Sequence, residues 1–301
     1  MKRNPWSVII PLVLSIMVLF FLFKNETKTS TDNNFPIFKI SGKKTEVTET
    51  PEPVAKEDEQ FTELRSKIEQ EQGTYGLYIK DMVKNKEYDF NPDEQFYPLS
   101  LFKVPIAYII ARDVEKGVLN WEDTIEYKQE DYYDGFGSVG LSGVGSEFRL
   151  DRLVELMIRE SDNTAPKILK RELGEDYLNE EYKKITGDRN ADLFNEELYT
   201  TPKKCTQTLE GIIYKKWISD ESVNLLLSFM YPTSYDTTVT PYLDESLTFY
   251  HKVGIMEEMY HNCGIVKGEE KDLIVCLMSR AITEESFDNV SNHVAKFINE
   301  L

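Results

Sequence analysis

A serine and a lysine stand three residues apart at Ser100 and Lys103, inside the stretch YPLSLFKVP. Residues three apart share one face of a helix, so the lysine amine would lie over the serine hydroxyl. Burial lowers the pKa of a lysine, and its neutral amine can then serve as the base for a serine nucleophile. The plain alternative is that Ser100 caps a helix and that Lys103 is a solvated side chain of its first turn.

The residues that follow Lys103 favour the nucleophile. They read VPIAYII, which is apolar on nearly every face, so the start of this helix is predicted to be buried. A helix start also leaves backbone N–H groups unpaired near Ser100, and such groups can stabilise a developing oxyanion.

Two further motifs contain residue types that suit the same chemistry. Ser161, Asp162 and Asn163 lie between two predicted helices, where such residues commonly form a polar turn. Lys252 and Gly254 lie near the end of a predicted strand, in HKVG. Each motif is ordinary alone. In this order, however, Ser-x-x-Lys, Ser-Asp-Asn and Lys-x-Gly form the motif set of penicillin-recognising serine enzymes.

The elements around the motifs predict an α+β fold. Alternation in YGLYIKD and KEYDF indicates a β-hairpin, and a helix follows over about 100–116. Further helical patterns cover about 150–158, 164–185, 202–217 and 220–230. LTFYHKVG, MYHNCGIVKG and DLIVCLMSR predict three strands, and a last helix covers about 284–300. We expect one antiparallel sheet made from both ends of the chain, with an all-helical lobe inserted over about 118–232.

Nearly all of residues 61–300 resembles the class A β-lactamases and the related penicillin-binding serine hydrolases. LSLFKVPIA, LDRLVELMIRESDNTAPKIL and HKVGIM…HNCGIV carry the similarity. The resemblance implies a β-lactamase/transpeptidase-like fold over 61–301, with a five-stranded antiparallel sheet flanked by helices. It also implies hydrolysis through an acyl-enzyme, with a β-lactam or a D-alanyl peptide of peptidoglycan as the small-molecule partner.

The resemblance further implies a role for each motif residue. Ser100 would be the nucleophile and Lys103 the acylation base or a proton relay. Ser161 would pass a proton to the leaving nitrogen, and Lys252 would supply positive charge for Ser161 and for the substrate carboxylate.

Three other residues would bind the substrate. Asn163 would hold its side-chain amide, and Gly254 would permit close backbone approach. The N–H groups of Ser100 and Ile255 would form the oxyanion hole.

Two departures leave the fate of the acyl-enzyme open. Val253 replaces the threonine whose hydroxyl helps the family bind a carboxylate. The chain between Asn163 and Thr200 is shorter than in the family and lacks Glu-x-x-Leu-Asn, the sequence that activates the deacylating water. Glu196 or Glu197 could replace that glutamate, or neither does. The alternative function is therefore a penicillin-binding sensor or binding module that is acylated, or merely occupied, without efficient turnover.

The N-terminus predicts a single-pass membrane anchor. Residues 6–23 carry no charge and approach the roughly 20 residues that span a bilayer. Lys2 and Arg3 favour a cytoplasmic N-terminus and an extracytoplasmic catalytic domain. We predict a signal-anchor helix over 1–24 and a disordered acidic tether over 25–60; a cleaved signal peptide is the rival.

Composition narrows the remaining classes. The 301 residues carry a formal net charge of −18, which argues against a nucleic-acid partner. The histidines are not in metal-ligand spacing, so we predict no metal and no cofactor.

We expect Cys263 and Cys276, on consecutive strands, to be unlinked thiols, because a bridge between adjacent antiparallel strands is strained. GFGSVG, at 135–140, matches G-x-G-x-x-G but lacks its strand and helix, so it predicts a loop rather than a nucleotide site. The oligomeric state stays open.

Overall fold

The structure is a computed structural model that describes residues 56–195, 199–214 and 217–301. The predicted anchor and most of the predicted tether lie outside these residues. The end of that tether is helical, since the first described helix begins at Lys56. No helix in these three ranges has the length and apolarity needed to cross a membrane.

The described strands form a five-stranded sheet and a separate hairpin. In chain order they are β1 (Thr74–Asp81), β2 (Lys86–Phe90), β3 (Thr124–Glu126), β4 (Glu147–Arg149), β5 (Thr248–Met256), β6 (Met259–Lys267) and β7 (Asp272–Arg280). The large sheet has the order β2-β1-β7-β6-β5, and every neighbouring pair is antiparallel. The predicted five-stranded antiparallel sheet, made from both ends of the chain, is therefore confirmed.

The α-helices of the described ranges are α1 (Lys56–Gln70), α2 (Lys103–Glu115), α3 (Leu150–Arg159), α4 (Ala165–Leu173), α5 (Glu175–Thr186), α6 (Pro202–Ile213), α7 (Asp220–Met230) and α8 (Glu284–Glu300). Side chains cap three of them. Thr283, Thr201 and Ser219 each accept a hydrogen bond from a backbone N–H in the first turn of α8, α6 and α7. Such caps satisfy an N–H group that has no partner within the helix, and they explain why these helices begin where they do.

Both faces of the sheet are buried. Helices α1 and α8 cover one face, where Ile68, Leu77 and Val294 belong to one apolar core. On the other face, α2 and the helical lobe pack against residues such as Ile265 and Met278. Strand β7 lies in the middle of the sheet, which explains why DLIVCLMSR is an almost continuous apolar run.

The inserted lobe is not all-helical, which corrects the prediction. Strands β3 and β4 pair as a short hairpin on the path from α2 to α3. The predicted helical region 164–185 is divided into two helices at Gly174, which adopts a φ of +90° between them. A strand of three residues is too short for its alternating pattern to be recognised in the sequence.

The cysteine prediction is wrong. Cys263 and Cys276 lie directly opposite each other on β6 and β7 and form a disulfide. The free thiol of Cys205, on α6, lies within 4.8 Å of both sulfur atoms. Register decides this pairing, because two residues in direct opposition project their side chains to the same face.

Candidate active site

Ser100 lies within a short 3₁₀-helical turn, Leu99–Phe102, and Lys103 begins α2 directly after it. Neither helix start has a side-chain cap, and the Ser100 hydroxyl has no hydrogen-bond partner among the described residues. The interpretation of Ser100 as a helix cap is therefore wrong. The hydroxyl is half-buried beside a buried lysine.

Lys103 is buried, with only 1% of its surface exposed. Its Nζ donates to the Ser161 carbonyl oxygen at 2.7 Å and to Asn163 Oδ1 at 2.8 Å, and it lies 3.4 Å from Ser161 Oγ. Burial lowers the pKa of Lys103 to about 7, although the nearby Asp162 carboxylate favours the charged form. A neutral amine is therefore well populated near neutral pH, as a general base requires.

Lys252 approaches the same hydroxyl from β5. Its Nζ donates to Ser161 Oγ and to the Val253 carbonyl oxygen, both at 2.8 Å. Burial lowers the pKa of Lys252 well below its usual value, and repulsion from Lys103 lowers it further. Ser161 Oγ thus lies between two buried amines, an arrangement through which a proton could be relayed.

The turn that holds Ser161 is fixed by its neighbour Asp162. One carboxylate oxygen of Asp162 accepts from the N–H groups of Thr164 and Ala165, at the start of α4, and the other accepts from the Val139 N–H. Ser161 has a φ of +54°, a strained value for a serine, and this network holds it there. The sequence motif includes Asp162, but its structural role emerges only in three dimensions.

The glycine-rich segment around 134–140 packs over this turn. The Asn163 N–H donates to the Phe136 carbonyl oxygen at 2.9 Å, and Asn163 Nδ2 donates to the Asp134 carbonyl oxygen at 3.3 Å. A Cβ on Gly135 would lie 2.7 Å from Asn163 Nδ2, and one on Gly137 would overlap Asp162 Oδ2. Both glycines have positive φ. The segment is a loop, as predicted, and its glycines permit contact with the Ser-Asp-Asn turn.

The third motif contacts the serine turn through Gly254. A Cβ at Gly254 would lie 2.8 Å from Leu99 Cβ, so only glycine allows the residue before Ser100 to approach β5 this closely. Leu99 has a φ of +48°, which directs the chain into the turn.

The register of β5 directs the Ile255 N–H away from the sheet. Cys263 and Cys276 have Cα atoms 4.1 Å apart, the close spacing of a pair that exchanges no backbone hydrogen bonds. The polar backbone groups of Cys263 therefore face Lys252, its partner on β5. Along β5, the backbone groups of Val253 and Ile255 point opposite to those of Lys252, so their N–H groups are directed away from β6. Because β5 is the edge strand, these N–H groups lie on the open side of the sheet.

Two buried histidines support the site, and the sequence offered no motif for either. His261 Nδ1 accepts from the Ser279 N–H, so Nε2 carries the proton and donates to the Tyr97 carbonyl oxygen at 2.8 Å. Burial lowers the pKa of His261 to about 4, which keeps it neutral. His251 Nε2 lies 2.8 Å from Asp236 Oδ1 and links β5 to the segment before it.

The structure therefore brings Lys103, Ser161, Asn163 and Lys252 into one hydrogen-bonded group. Ser100, Gly254 and Ile255 adjoin it on the serine turn and on β5. Glu196 and Glu197, the sequence candidates for deacylation, lie outside the described residues.

Comparison with known proteins agrees with this architecture. The β-lactamase from Bacillus amyloliquefaciens is 29% identical over 143 residues, which cover 47% of this chain and 45% of that protein. β-Lactamase CARB-3 from Pseudomonas aeruginosa is 26% identical over 167 residues, which cover 52% of this chain and 58% of that protein. The chain spans about half the length of the curated relatives that it matches.

Solved structures show the same fold. The PBP-A structure has a TM-score of 0.73 at 21% identity and covers 81% of this chain and 97% of PBP-A. The β-lactamase of Sphaerobacter thermophilus has a TM-score of 0.72 at 20% identity and covers 81% of this chain and 98% of that chain. These likenesses establish the predicted β-lactamase/transpeptidase-like fold.

The family model described as the beta-lactamase enzyme family matches residues 58–301. That match includes all three motifs and most of the chain. The protein therefore belongs to the β-lactamase enzyme family, and its predicted class, a serine hydrolase of the β-lactamase type, is confirmed at the level of the family.

Proposed function

We propose that this protein is a membrane-anchored, extracytoplasmic serine hydrolase that forms an acyl-enzyme at Ser100. Its substrates are β-lactams or D-alanyl peptides of the cell wall. The observation that carries the proposal is the Ser161 hydroxyl held between the Nζ atoms of Lys103 and Lys252, with Lys103 three residues after Ser100.

Acylation moves one proton from Ser100 to the leaving nitrogen through Lys103 and Ser161, in three transfers. Lys103 takes the proton of the Ser100 hydroxyl as its oxygen attacks the substrate carbonyl, and the N–H groups of Ser100 and Ile255 bind the resulting oxyanion. The carbon–nitrogen bond then breaks, Ser161 passes its hydroxyl proton to the leaving nitrogen, and the Lys103 ammonium, whose Nζ lies 3.4 Å from Ser161 Oγ, replaces that proton. Lys252 donates to Ser161 Oγ, so it holds that hydroxyl in position for the transfer.

Substrate binding uses the other motif residues. Asn163 presents its side chain beside Lys103 and binds the substrate's side-chain amide. A related structure supports acylation by a penicillin in this fold, since a mutant of PBP-A is described as an acyl-enzyme complex with penicillin G.

The decisive experiment follows the intact mass of the purified full chain during incubation with benzylpenicillin. We expect a mass increase equal to one penicillin, located at Ser100 by peptide mapping and absent from Ser100→Ala. Ser142→Ala is the matched control, because Ser142 is an exposed serine of the lobe, and this variant should label like the native chain. Labelling that survives in Ser100→Ala would refute the mechanism.

The same time course tests a second candidate function, acylation without efficient turnover. Val253 in place of threonine and the lack of Glu-x-x-Leu-Asn favour it. A persistent adduct identifies a penicillin-binding protein or sensor, whereas a transient adduct with loss of the drug identifies a β-lactamase.

Membrane anchoring is part of the proposal and rests on residues 6–23 alone. If the segment is an uncleaved anchor, the full chain stays in the membrane fraction after a high-salt wash, and a variant that lacks residues 1–24 does not. A mature chain that begins after residue 24 would instead indicate a cleaved signal peptide.

A further inference from the structure

A cavity of about 280 Å³ lies against the end of β5, beside the candidate active site. Val253 and Ile255 of the third motif line it on one side. Tyr260 and Phe287, whose ring centroids are 5.5 Å apart, line it on another. Gly254, between the two residues of β5, lies against Leu99, the residue before Ser100, so the cavity and the serine turn adjoin the same end of β5.

The charge around the cavity is negative. Glu284, Glu285 and Asp288, from the first turns of α8, belong to its lining, which includes no lysine or arginine. Asp288 accepts a hydrogen bond from the neutral Tyr242 hydroxyl. Within the described ranges, no ion pair joins any of these carboxylates to a basic side chain. His261 also lines the cavity, but both of its ring nitrogens are already hydrogen-bonded.

The third motif offers a carboxylate neither a hydroxyl nor an unengaged amine at this end of the site. Val253 presents methyl groups where the family has a threonine hydroxyl. Lys252 Nζ donates to Ser161 Oγ and to the Val253 carbonyl oxygen, and burial favours its neutral form. The wall from β5 is therefore apolar, Thr237 and Thr238 add hydroxyls from the segment before β5, and the wall from α8 is acidic.

We propose that this cavity selects acyl donors that carry a positively charged group where penicillins carry a carboxylate. This inference rests on the proposed function. Acidic side chains attract a cationic substituent during approach and repel an anionic one. The rings of Tyr260 and Phe287 suit the same ligand, because aromatic faces attract cations. Val253 is then a residue that sets specificity, because it withholds the hydroxyl that the family's threonine offers to a substrate carboxylate.

Three benzylpenicillin derivatives test the proposal: the free acid, the methyl ester and the diethylaminoethyl ester. They share the reacting ring and differ in charge, which is negative, neutral and positive. We expect the full chain to form the Ser100 adduct fastest with the diethylaminoethyl ester and slowest with the free acid, with about a tenfold difference between these two. The difference should narrow in roughly 0.5 M salt, because salt screens exposed charges.

Two sets of variants locate the selectivity. Glu284→Gln with Glu285→Gln should reduce the preference for the cationic ester. Glu269→Gln with Glu270→Gln removes the same charge at the exposed turn between β6 and β7 and should leave the preference unchanged. Val253→Thr should raise the rate with the free acid by about tenfold or more and leave the methyl ester unaffected, because a hydrogen bond to a charged group is gained.

The outcomes separate this inference from the proposed function. If the free acid acylates Ser100 at least as fast as the cationic ester, the inference is wrong and the acyl-enzyme mechanism stands. An equal loss of preference in the two glutamate variants would also refute it, since the charge effect would then not come from the cavity. If none of the three compounds labels Ser100, both proposals fail.

Discussion

At the scale of single residues, the site depends on lysines that are held away from water. Lys103 and Lys252 are 1% and 2% exposed, and both direct Nζ toward Ser161 Oγ. Desolvation disfavours the ammonium form of each, and the positive charge of Lys103 lowers the pKa of Lys252 further. Burial thus favours the neutral amine in a residue that is normally charged at neutral pH, which is the form that the proposed base for Ser100 requires.

The pKa of Lys103 predicts how the rate of acylation depends on pH. Its pKa of about 7 means that the neutral amine is lost as the pH falls below 7. We expect the rate of Ser100 labelling by benzylpenicillin to fall about tenfold per pH unit below that value, since one proton blocks the base. Stopped samples analysed by intact mass from about pH 5 to 8 give this profile.

Two variants check the assignment. Lys103→Gln should reduce acylation by about 10²–10⁴-fold, the usual contribution of a general base. His251→Gln removes a buried histidine of β5 but keeps Lys103, so its profile should keep the same acid limb. Disappearance of that limb in His251→Gln would contradict the assignment to Lys103.

At the scale of elements, three segments meet at the Ser-Asp-Asn turn. Asp162 ties the turn to the start of α4 and to Val139, while Asn163 is bonded to the loop around 134–136. Gly137 allows this loop to lie directly on Asp162. The loop therefore fixes the position of Asn163, whose Oδ1 accepts a hydrogen bond from Lys103 Nζ.

Gly137→Ala should damage the site, and Gly143→Ala supplies the matched control. Both glycines have positive φ, +104° and +86°, so each substitution carries a similar backbone penalty of about 1–3 kcal/mol. A Cβ at Gly143 meets nothing within 4 Å, whereas one at Gly137 would overlap Asp162. We expect Gly137→Ala to cost a further roughly 1–3 kcal/mol of unfolding free energy.

The same overlap should displace Asn163, so Gly137→Ala should also slow acylation of Ser100 by about tenfold or more. Urea unfolding measures the stability of both variants, and intact mass measures their acylation. Equal losses in the two variants would mean that backbone strain, and not contact with Asp162, explains the effect.

At the scale of the whole molecule, strands from the N-terminal and C-terminal parts of the fold pair in one sheet. Strand β1 pairs with β7 over its full length, from Thr74 opposite Arg280 to Asp81 opposite Leu273. Helices α1 and α8 then pack together on one face. The opposite face carries the disulfide Cys263–Cys276 and the thiol of Cys205, between the sheet and α6.

The cysteines give a prediction for the intact molecule. Burial raises the pKa of Cys205 to about 11, so the native protein should react slowly with iodoacetamide, which attacks the thiolate. In denaturant without reductant, one label should appear, at Cys205, and after reduction three should appear. Cys205→Ser should show none before reduction. Three labels on the native-sequence chain without reductant would show that Cys263 and Cys276 are unlinked.

The sequence by itself determined the fold class, the family and the residues of the three motifs. Those features depend on local patterns: the alternation of β1, the capped start of α8, and the spacing of Ser100 and Lys103. The α8 boundaries follow from its own period and cap, so they were predictable without any tertiary contact.

Only the tertiary structure decided how these residues cooperate. The 3₁₀ turn at Ser100 depends on close approach to Gly254, and the Cys263–Cys276 bond depends on the register of β6 against β7. Contacts of Lys103 with Ser161 and Asn163 join residues 58 and 60 positions apart. Such contacts form when distant segments pack against one core, and burial there determines the pKa of each lysine. A single sequence carries the residue types for this chemistry, whereas desolvation and register are properties of the packed chain.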